Sequence, residues 1–206
     1  MTATFYNHLL KYIFKYKDVN WCKFTEHSKY TNNIGLIYGG FVYAFVWNNV
    51  KPSSNQTIFD FPGKCVYIGQ TSPDEYCDKK SYRLTKLYSS SAKRMQEHFT
   101  ALVGGKSKEE KYELFYEKYG YGKNVLDGEN TLWLMMIPVI SEKSYFIDLN
   151  KRSWALALEA MMIFFYGIFN GSTPFMNRQV VAKDKKTDTF SFELGRTKNS
   201  ILEFMK

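Results

Sequence analysis

Gly40-Phe41-Val42-Tyr43-Ala44-Phe45 and Val66-Tyr67-Ile68-Gly69-Gln70-Thr71-Ser72 are the two stretches on which the fold turns. Each is a short β-branched and aromatic run of the kind that fills an antiparallel strand. Asn48-Asn49-Val50-Lys51-Pro52-Ser53-Ser54-Asn55 between them is a loop by composition. Downstream, Lys93-Arg94-Met95-Gln96-Glu97-His98-Phe99 sets Arg94 and His98 four residues apart, on one helical face. Residues 107–118 read as a charged amphipathic helix ending at Gly120, and residues 131–140 as a third, largely buried strand. The apolar run from Trp154 to Phe169 reads as a core helix with Ser153 as its N-cap, interrupted by one carboxylate, Glu159. Strand, strand, helix, helix, strand, helix predicts an α+β fold, with a small three-stranded antiparallel sheet flanked by helices.

Composition bounds the function. The chain has 206 residues, of which 18% are aromatic, enough for one domain with a real core. Lys and Arg outnumber Asp and Glu by 28 to 20, a net charge of +8 that attracts polyanions, nucleic acid above all, or serves solubility alone. Three cysteines (Cys22, Cys65, Cys77) form no CxxC pair, and no signal peptide opens the chain, so a reduced, cytoplasmic setting is expected. Residues 154–169 fall short of the roughly 18 uninterrupted apolar residues of a membrane span. Gly104-Gly105-Lys106-Ser107 lacks the earlier glycine of a phosphate loop, since Thr100 stands there. No zinc spacing and no Gly-x-Ser-x-Gly elbow is present.

Tyr43, Tyr67, Arg94, His98 and Glu159, in that order and on those elements, resemble the GIY-YIG nuclease family. The departure is Phe41-Val42 where the family usually has Gly-Ile, and Val keeps the β-branched packing. The resemblance covers about residues 40–177. It implies an N-terminal extension over 1–38 packed on the core, a nuclease domain over 39–177 with insertions at 48–63 and 73–91, and a basic C-terminal segment over 178–206. Residues 5–17 of the extension have mostly helical apolar spacing. Its Lys11, Lys15, Lys17, Lys23 and Lys29 are open to DNA contact, or to packing or dimerisation.

The resemblance also implies roles. Glu159 would be the ligand of one Mg²⁺ (or Mn²⁺), an ion that commonly takes one or two protein carboxylates. A core glutamate bonded to an Arg or Tyr is the alternative. Arg94 would grip phosphate oxygens in its planar fork, the alternative being an ordinary helix-surface ion pair. Tyr43 would be the general base, Tyr67 would orient water or phosphate, and His98 would relay the proton or replace Tyr43 as base. Either tyrosine alone reads equally as a strand aromatic. Asn177 matches the family's late asparagine that fixes the site, with Asn170 competing for the part. Gly69, Gln70, Lys79, Lys80, Arg83, Lys86 and Lys93 are the DNA-contact candidates, since loops beside an active site carry substrate reading. A solvated surface loop is the plain reading of the same residues.

The implied activity is hydrolysis of double-stranded DNA to 5′-phosphate and 3′-hydroxyl ends. No separate DNA-binding module follows the core, so the expected subtype is a type II restriction endonuclease. Such an enzyme would work as a homodimer or higher oligomer, with a cognate methyltransferase and no membrane partner. Alternatives are a phage or mobile-element nuclease of relaxed specificity, or a non-catalytic nucleic-acid-binding module of the same fold.

Overall fold

The computed structural model of the protein describes residues 2–14, 19–30, 41–71, 84–138 and 147–180. Helix α1 (Ala3–Phe14) is followed by strand β1 (Asn20–Lys23) and a 3₁₀ turn at Phe24–Glu26. The two motif strands are β2 (Phe41–Asn48) and β3 (Cys65–Thr71), with a 3₁₀ turn at Ile58–Asp60 between them. Then come α2 (Leu84–Gly104), α3 (Glu110–Tyr119), the single turn α4 (Lys123–Leu126), β4 (Thr131–Pro138), α5 (Ile147–Asn170) and a 3₁₀ turn at Phe175–Val180. The fold is α+β, a four-stranded antiparallel sheet in the order β1-β4-β2-β3 with flanking helices.

Why β2 reads as an almost continuous apolar run is now plain: it is a central strand covered on both sides. Alternate residues serve different cores, as the two-residue period of a strand requires. Val42, Ala44 and Val46 join Ile68, Met135 and Ile137 on one face, against Tyr6 and Leu10 of α1 and Leu158, Met162 and Tyr166 of α5. Phe41, Tyr43 and Phe45 join Tyr67, Leu134 and Met136 on the other, against Met95 and Leu102 of α2 and Tyr112 and Phe115 of α3. A register shift at Phe45/Val46 leaves Val66 without a strand partner and returns Tyr67 to the face that carries Tyr43. Cys22 and Cys65 are buried free thiols in opposite cores.

Several expectations are corrected. The sheet has four strands rather than three, because Asn20–Lys23 of the N-terminal extension pairs with Trp133–Met136 and extends the sheet. Residues 49–55 are a loop, as expected, and after it the insertion turns inward, with Ile58, Phe59 and Phe61 buried. Thr57 and Asp60 there form a reciprocal capping box, and Asn7 of α1 bonds both side chains, donating to Asp60 at 2.8 Å and accepting from Thr57. In the 73–91 insertion, residues 84–91 already belong to α2, while 73–83 lie outside the described residues. Ser153 is no N-cap, since α5 begins at Ile147. The helix ending at Gly120 is as expected, with Gly120 at φ 79°, a left-handed conformation that stops α3. Among the described residues no helix is long and apolar enough to cross a membrane.

Candidate active site

β2 delivers Tyr43 and β3 delivers Tyr67 to the α2/α3 face, with ring centroids 6.0 Å apart. Gly69 stands opposite Tyr43 in the β2–β3 register. A Cβ at Gly69 would lie 2.6 Å from Tyr43 Oη, 2.7 Å from Tyr43 Cζ and 2.8 Å from Tyr67 Cε1. The two tyrosine rings occupy the space that any larger residue would need. That gives Gly69 a packing reason beside the DNA contact expected of it from the sequence.

Helix α2 supplies the next layer. His98 is fully buried, with Nε2 hydrogen-bonded to Tyr43 Oη at 2.7 Å and Nδ1 to Tyr112 Oη at 2.6 Å. Burial, then the charges of Arg94 and Lys111, push the His98 pKa well below its ordinary value, so the ring is neutral. With a tyrosine hydroxyl on each ring nitrogen, His98 is placed to pass protons between Tyr43 and Tyr112.

Arg94, one turn earlier on α2, lies half-exposed and pairs with Glu97 at 3.6 Å. This is the surface ion pair set beside the phosphate role above, and at such exposure it contributes little. The same guanidinium acts on both tyrosines. Burial raises the Tyr43 pKa well above the usual phenol value, reinforced by Tyr67, while Arg94 pulls it down. Tyr67 is raised by burial too, and again Arg94 opposes.

Glu159 reaches this group from the opposite helix layer. Its helix packs along the edge strand β3, and the carboxylate contributes to the shifts of both Tyr43 and Tyr67. Burial raises its pKa from the ordinary carboxyl range to about 7, with Arg94 as the opposing charge. Among the described residues the carboxylate makes no hydrogen bond or ion pair, and no three metal-ligating side chains cluster. Such a carboxylate is costly to bury, and the Arg94 charge offsets part of that cost.

Asn177 braces the edge of the sheet. Its Oδ1 accepts from the Ile68 N–H at 2.8 Å and its Nδ2 donates to the Ile68 carbonyl at 2.7 Å. Both amide atoms thus hold the strand residue that lies between Tyr67 and Gly69, a positioning part rather than a chemical one. Asn170 does something else: it accepts from the Gly63 N–H and donates to the Tyr166 carbonyl.

The other DNA-contact candidates are scattered. Lys93 is exposed and lines a cleft of about 530 Å³ between α2 and α3 with Arg94, Lys106 and Tyr112. Gln70 is partly buried on β3, and its Oε1 has no partner among the described residues. Lys86 falls in the first turn of α2, while Lys79, Lys80 and Arg83 lie outside the described residues. Of the N-terminal lysines, Lys23 pairs with Asp127 at 2.7 Å and Lys29 with Glu26 at 3.2 Å. Lys11 is exposed, and Lys15 and Lys17 lie outside the described residues.

Two neighbours went unseen in the sequence. Tyr112 completes the hydrogen-bonded line through His98, and Lys111 sets its ammonium 4.8 Å from the Tyr112 ring and 5.7 Å from the Tyr67 ring. The signal for Tyr112 was there: Tyr112 and Phe115, three apart, form the buried stripe of an otherwise charged helix. No family model, no curated protein and no solved structure matches this chain.

Proposed function

We propose that the protein is a metal-dependent endonuclease of the GIY-YIG kind that hydrolyses DNA to 5′-phosphate and 3′-hydroxyl ends. The observation that carries this reading is the meeting of Tyr43, Tyr67, Arg94, His98 and Glu159, from four elements, around one edge of the sheet. Each part has work in phosphodiester hydrolysis. Arg94 is half-exposed and planar, suited to hold a phosphate and the charge that builds on it. Tyr43 removes a proton from the attacking water, and its raised pKa makes it a strong base once its own proton has gone. His98 keeps the Tyr43 hydroxyl oriented, and Tyr67 closes the side of the site next to Arg94.

The residues suit a single Mg²⁺ or Mn²⁺ on Glu159, with water and phosphate oxygens completing the shell. When bound, such an ion supplies positive charge to the phosphate oxygens and the leaving group. The net charge of +8 and the exposed Lys93 beside Arg94 favour a DNA substrate. The 48–63 insertion, anchored to the core by Ile58, Phe59 and Phe61, suits a compact enzyme of the type II restriction class acting as an oligomer with a cognate methyltransferase.

One observation favours a second reading, a non-catalytic nucleic-acid-binding module. Tyr43 has no exposed surface and already holds a hydrogen bond. Incubation of the purified chain with plasmid and Mg²⁺ separates the two. Discrete fragments, lost in Tyr43→Phe, are the restriction outcome, and a smear is the relaxed nuclease. Binding without cleavage by the wild type would sink the enzymatic reading.

A further inference from the structure

A buried histidine with a tyrosine hydroxyl on each nitrogen is an unusual thing to build if it only fills space. Neutral imidazole has one N–H and one bare nitrogen. One of the two tyrosines therefore donates to His98 and the other accepts from it, at 2.7 Å and 2.6 Å. A proton taken up on one nitrogen releases the proton on the other, so the ring connects its two partners. Those partners have different surroundings. Tyr43 lies under the half-exposed Arg94, whereas Tyr112, 3% exposed, lines the α2–α3 cleft of about 530 Å³ beside Lys93, Arg94, Lys106 and Glu109.

We propose that Tyr112 is the outlet of a proton relay running from Tyr43 through His98 to the α2–α3 cleft. The purpose given to it rests on the nuclease reading, in which Tyr43 is the base. At rest, Tyr43 donates to Nε2 and Nδ1–H donates to Tyr112. The Tyr43 proton moves to Nε2, the Nδ1 proton moves to Tyr112 Oη, and the Tyr112 proton leaves to cleft water. Tyr43 is now a phenolate accepting from Nε2–H beside Arg94, and His98 and Tyr112 are both neutral. The phenolate takes a proton from the attacking water. For the return, Tyr112 gives its proton to Nδ1, Nε2 gives its proton to Tyr43, and Tyr43 releases the proton it took to water of the site, from which the leaving 3′-oxygen is protonated. Cleft water then restores the Tyr112 proton, so one proton leaves to the cleft and one returns per cycle.

The surrounding charges suit this traffic. Arg94 on α2 and Lys111 on α3 face His98 and disfavour imidazolium. Tyr67 on β3 and Glu159 on α5 act on Tyr43. Glu109 and Arg94 act on Tyr112. No stage places a second positive charge on the ring between Arg94 and Lys111. Tyr112 thus acts through His98 and does not touch the substrate.

The test uses the full chain and two readouts. Imidazole ¹⁵N spectra, taken without DNA, locate the His98 proton in Tyr112→Phe and in Tyr43→Phe. The expected result is opposite tautomers, with the proton on Nε2 when Tyr112 has lost its hydroxyl and on Nδ1 when Tyr43 has. The same tautomer in both variants overturns the relay. The second readout is the pH profile of plasmid cleavage. Tyr112→Phe is expected to slow cleavage about 10-fold or more and to move the rising limb to higher pH. A profile superimposable on wild type overturns the inference. A wild type that cuts at no pH sinks the nuclease reading, and the tautomers still decide whether the relay exists.

Discussion

Gly69→Ala tests the packing on which the site depends. An added Cβ meets Tyr43 Oη at 2.6 Å, Tyr43 Cζ at 2.7 Å and Tyr67 Cε1 at 2.8 Å. Ordinary carbon contacts lie near 3.5–4.0 Å, so the ring must retreat by something on the order of 1 Å. Tyr43 has nowhere to go, being enclosed by Phe41, Phe45 and His98. Overpacking of a dense core costs about 1–3 kcal/mol. Losing the 2.7 Å bond to His98 adds about 1 kcal/mol. The expected loss is therefore about 2–4 kcal/mol, read as a lower urea midpoint at unchanged slope. The cost is expected to shrink when Tyr43 is also truncated to Ala, because that removes two of the three clashes; such pairs couple by about 0.5–3 kcal/mol. A Gly69→Ala protein within about 0.5 kcal/mol of wild type, or costs that simply add in the double variant, would refute the reasoning.

Other outcomes can be stated together. Asn177→Ala leaves the buried Ile68 N–H and carbonyl without partners and is expected to cost about 2 kcal/mol or more in denaturant unfolding, with cleavage falling in step. His98 is held neutral in the fold while the unfolded chain protonates near pH 6.5, so stability is retained above that pH and lost as pH falls below it. The slope is up to roughly 1.4 kcal/mol per pH unit for each such histidine, and His27, also lowered by burial, adds its own share. Urea midpoints across pH 5–8 should therefore show a flatter acid limb in His98→Gln. Glu159 has the opposite sign: its raised pKa favours the protonated fold, so stability falls as pH rises toward about 7. Glu159→Gln should then raise the melting temperature at pH 8 and not at pH 4. Mg²⁺ should stabilise wild type at pH 8 but not that variant. Arg94→Lys keeps the charge but loses the fork, and cleavage should fall about 100-fold with little change in melting temperature.

The central architecture was legible because it is written in side-chain type. β2 and β3 are aromatic and β-branched runs, β4 is a short run rich in Leu and Met, and α5 is apolar enough that its lone glutamate stands out. What escaped notice lacked a local signal. β1 is only Asn20-Trp21-Cys22-Lys23, too short to show a period, and its pairing with β4 is a long-range choice. The first turns of α2 carry Thr85, Lys86, Tyr88 and three serines, which read as loop although the backbone there is helical. The turn at Ile58–Asp60 is bonded by Asn7 of α1, some fifty residues away. In the site, helical spacing puts Arg94 and His98 on one face and an apolar setting makes Glu159 stand out, but it is the resemblance that gathers them with the two tyrosines. Tyr112 shows in the sequence only as part of the apolar stripe with Phe115, and its bond to His98 is a long-range pairing that the stripe does not announce.

Cleavage of plasmid DNA by wild type and Glu159→Gln, at pH 8 with Mg²⁺ and at matched DNA binding, tests the central proposal most directly. The expected result is strand scission by wild type, leaving ends that ligate without prior treatment, and none by the variant. Equal cutting by both proteins, or wild type that binds DNA and leaves it whole, would contradict it.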